Sequence, residues 1–181
     1  MTVRKIVIAG VLSAIAILLG VTRLGYIPVP TAAGNATIMH VPVIIGGIMQ
    51  GWGVGAIIGL IFGVSSFLNA TVPLFKDPMV AIIPRLFIGV VSFLVYAGLR
   101  KKNEFFAIGT AAFFGTITNT GLVLVMAVLR NYLTASVAWG IALTNGIPEA
   151  IVAVIITMAV VLAWKQLGKT KKSKISDDLD V

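Results

Sequence analysis

The chain has 181 residues, of which 59% are hydrophobic and only 11% charged, and its mean hydropathy is +1.07. A water-facing domain carries about 25% charged residues, so an ordinary soluble enzyme, a nucleic-acid binder and a disordered chain are excluded as the main reading. The net charge of +8 reads as membrane orientation, because the basic residues collect beside apolar blocks, and the lack of cysteine excludes disulfides, thiolate metal sites and Cys nucleophiles.

Apolar blocks of about 20 residues separated by short polar joints predict an all-α integral membrane protein, a bundle of six transmembrane helices. The first segment covers residues 6–22. A cleaved signal peptide has a similar outline: Arg4 and Lys5, an apolar core, then small residues at Thr31-Ala32-Ala33-Gly34. Five more apolar spans follow, which favours an embedded first helix. Residues 26–37 hold Pro28 and Pro30, which prevent a regular helix. The stretch is too apolar for a floppy linker and is expected to be an ordered first outer loop.

Segment two, residues 38–50, is short and carries Pro42, so it is not expected to cross as one straight helix. Segment three, residues 53–68, follows a Gly51-Trp52-Gly53 turn. Segments four, five and six cover residues 79–99, 105–129 and 138–164. Residues 1–165 thus form one membrane domain. Residues 166–181 form a polar tail expected to fray into water.

Lys and Arg near the span ends set the orientation. With the N-terminus inside, the inner side receives Arg4, Lys5, Arg100, Lys101, Lys102 and the five tail lysines. The outer side receives only Arg23, Lys76 and Arg130. Both termini are therefore expected to be cytoplasmic, with the first loop, Lys76-Asp77 and the loop after Arg130 facing outward.

Two small-residue patterns stand at helical spacing. Gly51, Gly55, Gly59 and Gly63 make a smooth stripe suited to close helix packing within the chain. Gly10 and Ala14 make a shorter pair on segment one, where either internal packing or a partner protein is open.

Arg85 and Glu149 are the ionisable residues well inside predicted spans. Such groups face a cavity or a partner because lipid penalises them. Each follows a proline, Pro84 or Pro148, and Asn145 lies one helical turn before Glu149. Thr116, Asn119 and Thr120 share a face of segment five. These residues predict either an Arg85–Glu149 ion pair that holds the bundle or a polar solute pocket whose walls include carbonyls freed by the prolines.

His40, the sole histidine, lacks the helpers a zinc site needs, and no metal site is expected. With Asn35, Thr37 and Met39 it suggests a hydrogen-bonding cluster at the outer mouth, either structural or in contact with ligand. Trp139, Tyr132, Tyr26 and Phe75 lie near outer span ends, where aromatic belts form or a ring stacks on a flat ligand. Nucleophile elbows, zinc-protease motifs and P-loops are missing, so no enzyme activity and no ATP hydrolysis are expected of this chain.

The run Asn35-Ala36-Thr37-Ile38-Met39-His40-Val41-Pro42-Val43-Ile44-Ile45-Gly46-Gly47, the Gly51-to-Gly63 stripe, Asp77-Pro78 and Ile83-Pro84-Arg85 resemble the substrate-binding S components of energy-coupling factor (ECF) transporters. The resemblance runs from Arg4 to about Lys165. It implies a six-helix protein of the bacterial plasma membrane that binds a vitamin or related micronutrient on the outer side. The family's site is built from the first loop and the outer parts of segments four to six. Its members dock onto a transmembrane coupling subunit and two cytoplasmic ATPases, which use the ATP, and are thought to topple in the membrane during transport. No cofactor of its own is implied for this chain. The family's docking surface uses small residues spaced by four on segment one. Gly10 and Ala14 take those places, with Gly replacing the usual first Ala.

On this reading the substrate site comprises Asn35, Thr37, His40, Arg85, Asn119, Trp139, Asn145 and Glu149. Arg85 suits a carboxylate or phosphate-like oxygen, while Glu149 and the asparagines suit hydroxyl or amide donors, so pantothenate is the first expectation. Pyridoxine, hydroxymethylpyrimidine or riboflavin, stacked on Trp139 or Tyr132, is the alternative. A neutral ligand follows if Arg85 and Glu149 neutralise each other. Outside the resemblance stand a self-sufficient ion-coupled carrier using Glu149 and a structural subunit with no ligand.

Overall fold

The structure is a computed structural model. It describes the backbone of residues 1–27 and 36–177, and the side chains of residues 1–26 and 37–167. The elements in order are α1 (Val3–Val21), β1 (Tyr26–Ile27), β2 (Ala36–Thr37), α2 (Val41–Gln50), α3 (Trp52–Leu68), a 3-10 turn (Pro73–Lys76), α4 (Pro78–Leu99), α5 (Glu104–Leu129) and α6 (Ala135–Asp177). Asn35 and most of the predicted first loop lie outside the described residues. Helices α1, α4, α5 and α6 are long and apolar enough to cross a membrane. At 10 residues, α2 rises only about 15 Å, half of a hydrocarbon core about 30 Å thick.

Local chemistry fixes the helix ends. Asp77 caps α4 by accepting the Met79 N–H at 2.9 Å, with Pro78 at the first helical position, where its missing N–H leaves no bond unmade. Asn103 caps α5 by accepting the Phe106 N–H at 3.1 Å. Gly51, at φ 101°, turns the chain between α2 and α3 in a conformation only glycine adopts without strain. Where the sequence predicts fraying after residue 165, the backbone of α6 instead stays helical to Asp177.

The bundle is built around α2. Every residue from Val41 to Ile48 is buried, and α2 touches α1, α3, α4, α5 and α6. Large apolar side chains instead cover the outside: Val7, Val11, Phe113, Ile117, Ile151 and Ile155 are all exposed. Ser92, Thr116, Thr157, Arg85 and Glu149 are buried. An apolar exterior around a partly polar interior is the arrangement lipid demands.

Helices α3 and α4 form the most extensive helix pair, along the predicted glycine stripe. A Cβ on Gly55 would stand 2.8 Å from the Gly89 Cα, and one on Gly63 would stand 2.9 Å from the Ile82 Cα. A Cβ on Gly59 would meet the Arg85 carbonyl oxygen. Gly55, Gly59 and Gly63 therefore pack inside the chain against α4, Gly55 on Gly89, whereas Gly51 lies in the turn before α3 with nothing within 4 Å of a Cβ built on it and takes no part in the contact. The Gly10–Ala14 pair differs. Both residues are exposed, nothing lies within 4 Å of a Cβ built on Gly10, and α1 turns Ala9, Ser13 and Ala16 inward instead.

One end of the bundle gathers the end of α1, the β1–β2 pair, the 3-10 turn, the start of α4 and the end of α5. There the Arg130 Nε donates to the Asp77 Oδ2 at 2.7 Å. The opposite end gathers the start of α1 with the ends of α2, α4 and α6. There Lys165 pairs with Glu104 and also donates to the Tyr96 hydroxyl.

Candidate substrate site

The two-residue strands β1 and β2 pair antiparallel, Tyr26 with Thr37 and Ile27 with Ala36. They close the base of the first loop and set Thr37 beside α6. The Thr37 N–H donates to the Glu149 Oε1 at 2.7 Å, and its hydroxyl reaches the same oxygen at 3.2 Å. The Thr120 hydroxyl on α5 donates to the Glu149 Oε2 at 2.9 Å. Glu149, only 6% exposed, thus has hydrogen bonds on both carboxylate oxygens. It pins the loop base to α5 and α6.

Arg85, 5% exposed, is held in a different way. Pro84 has no N–H, so the Val80 carbonyl four residues earlier loses its helical partner. The Arg85 Nη1 takes that place at 2.7 Å. Its guanidinium also lies 4.9 Å from the Phe75 ring centre and 5.6 Å from that of Phe62, a cation–π sandwich between the 3-10 turn and α3. The Arg85 Nε is buried and has no hydrogen-bond partner.

Of the two arrangements the sequence leaves open, the Arg85–Glu149 ion pair is not formed. The ion pairs among the described residues are Asp77–Arg130 and Glu104–Lys165. The carboxylate of Glu149 is held by the threonines instead.

His40, fully buried at the start of α2, places its Nε2 2.9 Å from the Thr116 Oγ1. The Thr116 hydroxyl proton goes to the Ala112 carbonyl at 3.0 Å. The imidazole Nε2 is therefore assigned as the donor, which leaves Nδ1 as an acceptor. That Nδ1 is buried without a partner. Asn119, one turn beyond Thr116 on α5, likewise has a buried Oδ1 without a partner. Asn145 is buried on α6 and its Oδ1 accepts from the Thr144 hydroxyl at 3.2 Å.

The structure thus brings Thr37, His40, Arg85, Asn119, Asn145 and Glu149 to the interior near the end marked by Asp77 and Arg130. Trp139 is not drawn in: it is 69% exposed on α6. Sequence reasoning placed Thr120 on the right face but did not assign it to Glu149. It left Phe75 either in the aromatic belt or stacked on a ligand, and it gave Phe62 no role. The contact of both rings with Arg85 depends on how α3 and the 3-10 turn meet, which spacing along one helix does not reveal.

Outside the spans, the Asp77 carboxyl is held below the ordinary carboxylate range, chiefly by the hydrogen bond from Arg130. The Arg130 guanidinium is raised in turn, mainly by that same bond. The pair fastens the start of α4 to the end of α5 next to the segment that carries Phe75.

A pantothenic acid transporter, PanT, of Lactococcus lactis subsp. cremoris is 36% identical, over 70% of this chain and 76% of the relative. A solved S component of a bacterial ECF transporter superposes with a TM-score of 0.65 at 20% identity, covering 93% of this chain and 98% of that one. ThiT from Listeria monocytogenes superposes with a TM-score of 0.61 at 15% identity, covering 87% and 90%. At those identities the two structures speak to the fold alone. Residues 4–161 match the family described as ECF transporter, substrate-specific component. The chain belongs to that family of multi-pass membrane transport proteins, as the substrate-specific component of an ECF transporter.

Proposed function

We propose that this chain captures pantothenate on the outer side of the membrane and hands it to an ATP-driven coupling module. The observation that carries the choice of substrate is the set of unmet hydrogen bonds. Arg85 offers a buried N–H with no carboxylate partner, and His40 Nδ1 and Asn119 Oδ1 offer acceptors with no donor. Each buried, unsatisfied polar atom is unfavourable by about 1–3 kcal/mol, so a ligand that completes all three gains from each. Pantothenate has a carboxylate for Arg85 and hydroxyl and amide hydrogens for the two acceptors. The similarity to a pantothenic acid transporter supports the same substrate.

Two other readings fit less well. An ion-coupled carrier needs Glu149 open to a proton or cation, yet Thr37 and Thr120 occupy both of its oxygens. A ring vitamin stacked on Trp139 needs that indole near the cluster, and it stands exposed.

The basic residues assign the termini to the cytoplasm and the polar cluster to the outer half. The partners in this proposal are a transmembrane coupling subunit and two ATPases. The exposed Gly10–Ala14 face of α1 is the docking surface, its small residues allowing a close helix approach.

The test of the substrate is titration of the purified chain with a panel of vitamins, read by calorimetry and by melting temperature, since a ligand bound only by the folded state raises it. Pantothenate alone is expected to bind at submicromolar concentration. A different vitamin binding there, with no response to pantothenate, overturns the assignment. For docking, Gly10→Leu with Ala14→Leu is expected to abolish assembly with the coupling subunit while pantothenate binding stays unchanged. Assembly that survives both substitutions contradicts the α1 surface.

A further inference from the structure

The end of the bundle away from the polar cluster carries two adjoining grooves that substrate capture leaves unused. The first, about 490 Å³, is lined by Arg4, Lys5, Gln50, Arg100, Trp164 and Lys165, among others. The second, about 970 Å³, shares Lys5, Gln50 and Arg100 with it and continues over the apolar side chains of Val54, Ile57 and Phe93. Among the described residues, no Asp or Glu lines either groove.

The four cations are not equally committed. Lys165 pairs with Glu104 and donates to the Tyr96 hydroxyl. Arg100 lies 6.0 Å from the Tyr96 ring centre. None of the ion pairs among the described residues involves Arg4, Lys5 or Arg100. Three cations from α1 and the end of α4 therefore face one cavity whose carboxylate neighbour already has a partner.

We propose that this end binds an anionic phospholipid. Its phosphate lies among Arg4, Lys5 and Arg100, and one acyl chain runs along Ile57 and Phe93. Charge complementarity identifies the headgroup, because a groove lined by several cations and, among the described residues, no carboxylate favours a phosphate. The apolar second groove distinguishes a lipid from a free phosphate, which would gain nothing from it. Trp164, part of the first groove, suits the headgroup level.

The experiment uses the full chain in detergent, with native mass spectrometry counting retained phosphatidylglycerol against phosphatidylcholine. One phosphatidylglycerol is expected to remain bound where phosphatidylcholine is lost. Replacing Arg4, Lys5 and Arg100 with Gln should weaken retention by about fivefold per charge removed, while pantothenate affinity and melting temperature outside the lipid effect are kept. Arg4→Lys with Arg100→Lys, which keeps the charge, should restore most of it. Lys101→Gln with Lys102→Gln, at neighbouring cations that do not line the grooves, should leave retention unchanged. Equal retention of the two lipids overturns the proposal, as does an equal loss from the Lys101 and Lys102 changes. Displacement of the lipid by inorganic phosphate at equal concentration overturns it in favour of a free-anion site. A chain that retains no phosphatidylglycerol, yet loses assembly with its coupling subunit when the three cations are removed, overturns it in favour of protein docking.

Discussion

Gly89 and Arg85 lie one turn apart on α4, and the regions around them are built on opposite terms. Around Gly89 the α3–α4 seam is filled until backbone meets backbone: a Cβ on Gly89 would stand 2.5 Å from the Gly55 Cα. Around Arg85 the interior is polar and incomplete, with Arg85 Nε, His40 Nδ1 and Asn119 Oδ1 all lacking partners. The two are connected, because Gly59 packs directly against the Arg85 carbonyl. The seam therefore fixes the backbone from which Arg85 projects. A rigid, fully packed contact lets a neighbouring group keep an unused hydrogen bond without the helix shifting to satisfy it.

Breaking the seam should have the largest effect and should remove both properties together. Gly89→Val drives a branched side chain into the Gly55 backbone, which cannot move aside as a side-chain tip can. Overpacking of this kind destabilises by roughly 1–3 kcal/mol or more. The expected result is a large fall in the yield of monodisperse protein, with pantothenate binding lost in the same proportion. A melting temperature equal to that of the parent chain would show that the seam is looser than described.

Breaking the cluster should spare the fold. Asn119→Ala removes an acceptor that has no partner in the unliganded chain, so melting temperature without ligand should hold or rise slightly. Affinity for pantothenate should fall about fivefold to tenfold, the worth of one ligand hydrogen bond of about 1 kcal/mol. Calorimetry on the two proteins checks both halves, and an unaltered affinity would remove Asn119 from the site.

The smallest effect belongs to the Asp77–Arg130 pair, which joins the 3-10 turn side of α4 to the end of α5. Arg130 is half exposed, so water and salt screen the pair. Because the folded Asp77 carboxyl lies below its ordinary value, its contribution is complete above the unfolded carboxylate pKa of about 4. It is lost as pH falls through the lowered folded value. Asp77→Asn should give a small drop in melting temperature at neutral pH that vanishes in strong acid. A difference that grows on acidification would reverse this sign and refute the account.

Much of this was legible in the sequence. Six apolar segments came from hydropathy alone, because lipid enforces long uninterrupted apolar runs. Arg85 and Glu149 stood out for the converse reason: a charge in such a run is rare. The Gly51-to-Gly63 stripe announced a close contact, but its counterpart did not, since Gly89 and Gly98 on α4 follow no four-residue repeat. Asp77-Pro78 stood out only as part of the resemblance, and its role as cap and first helical position of α4 comes from the structure. The partnership of Asp77 with Arg130, 53 positions away, depends on how α4 and α5 pack. The Arg85–Glu149 relation was the least legible. Opposite charges in spans four and six leave a pair and a pocket both open, and nothing in the spacing reveals that Thr37 and Thr120 reach the carboxylate first or that Pro84 leaves a carbonyl for the guanidinium.

That difference between a satisfied Glu149 and an incompletely satisfied Arg85 is the centre of the account, and one calorimetric comparison tests it. Pantothenate and its alcohol analogue, in which a hydroxymethyl group replaces the carboxylate, would each be titrated into the parent chain and into Arg85→Gln. A charge-assisted hydrogen bond is worth about 1.5–3 kcal/mol, so the parent should prefer pantothenate by roughly tenfold to a hundredfold. Arg85→Gln should bind both ligands at the weaker, nearly equal level. Equal affinity of the parent for the two ligands, or a preference for pantothenate that survives Arg85→Gln, would contradict the assignment of Arg85 to the substrate carboxylate.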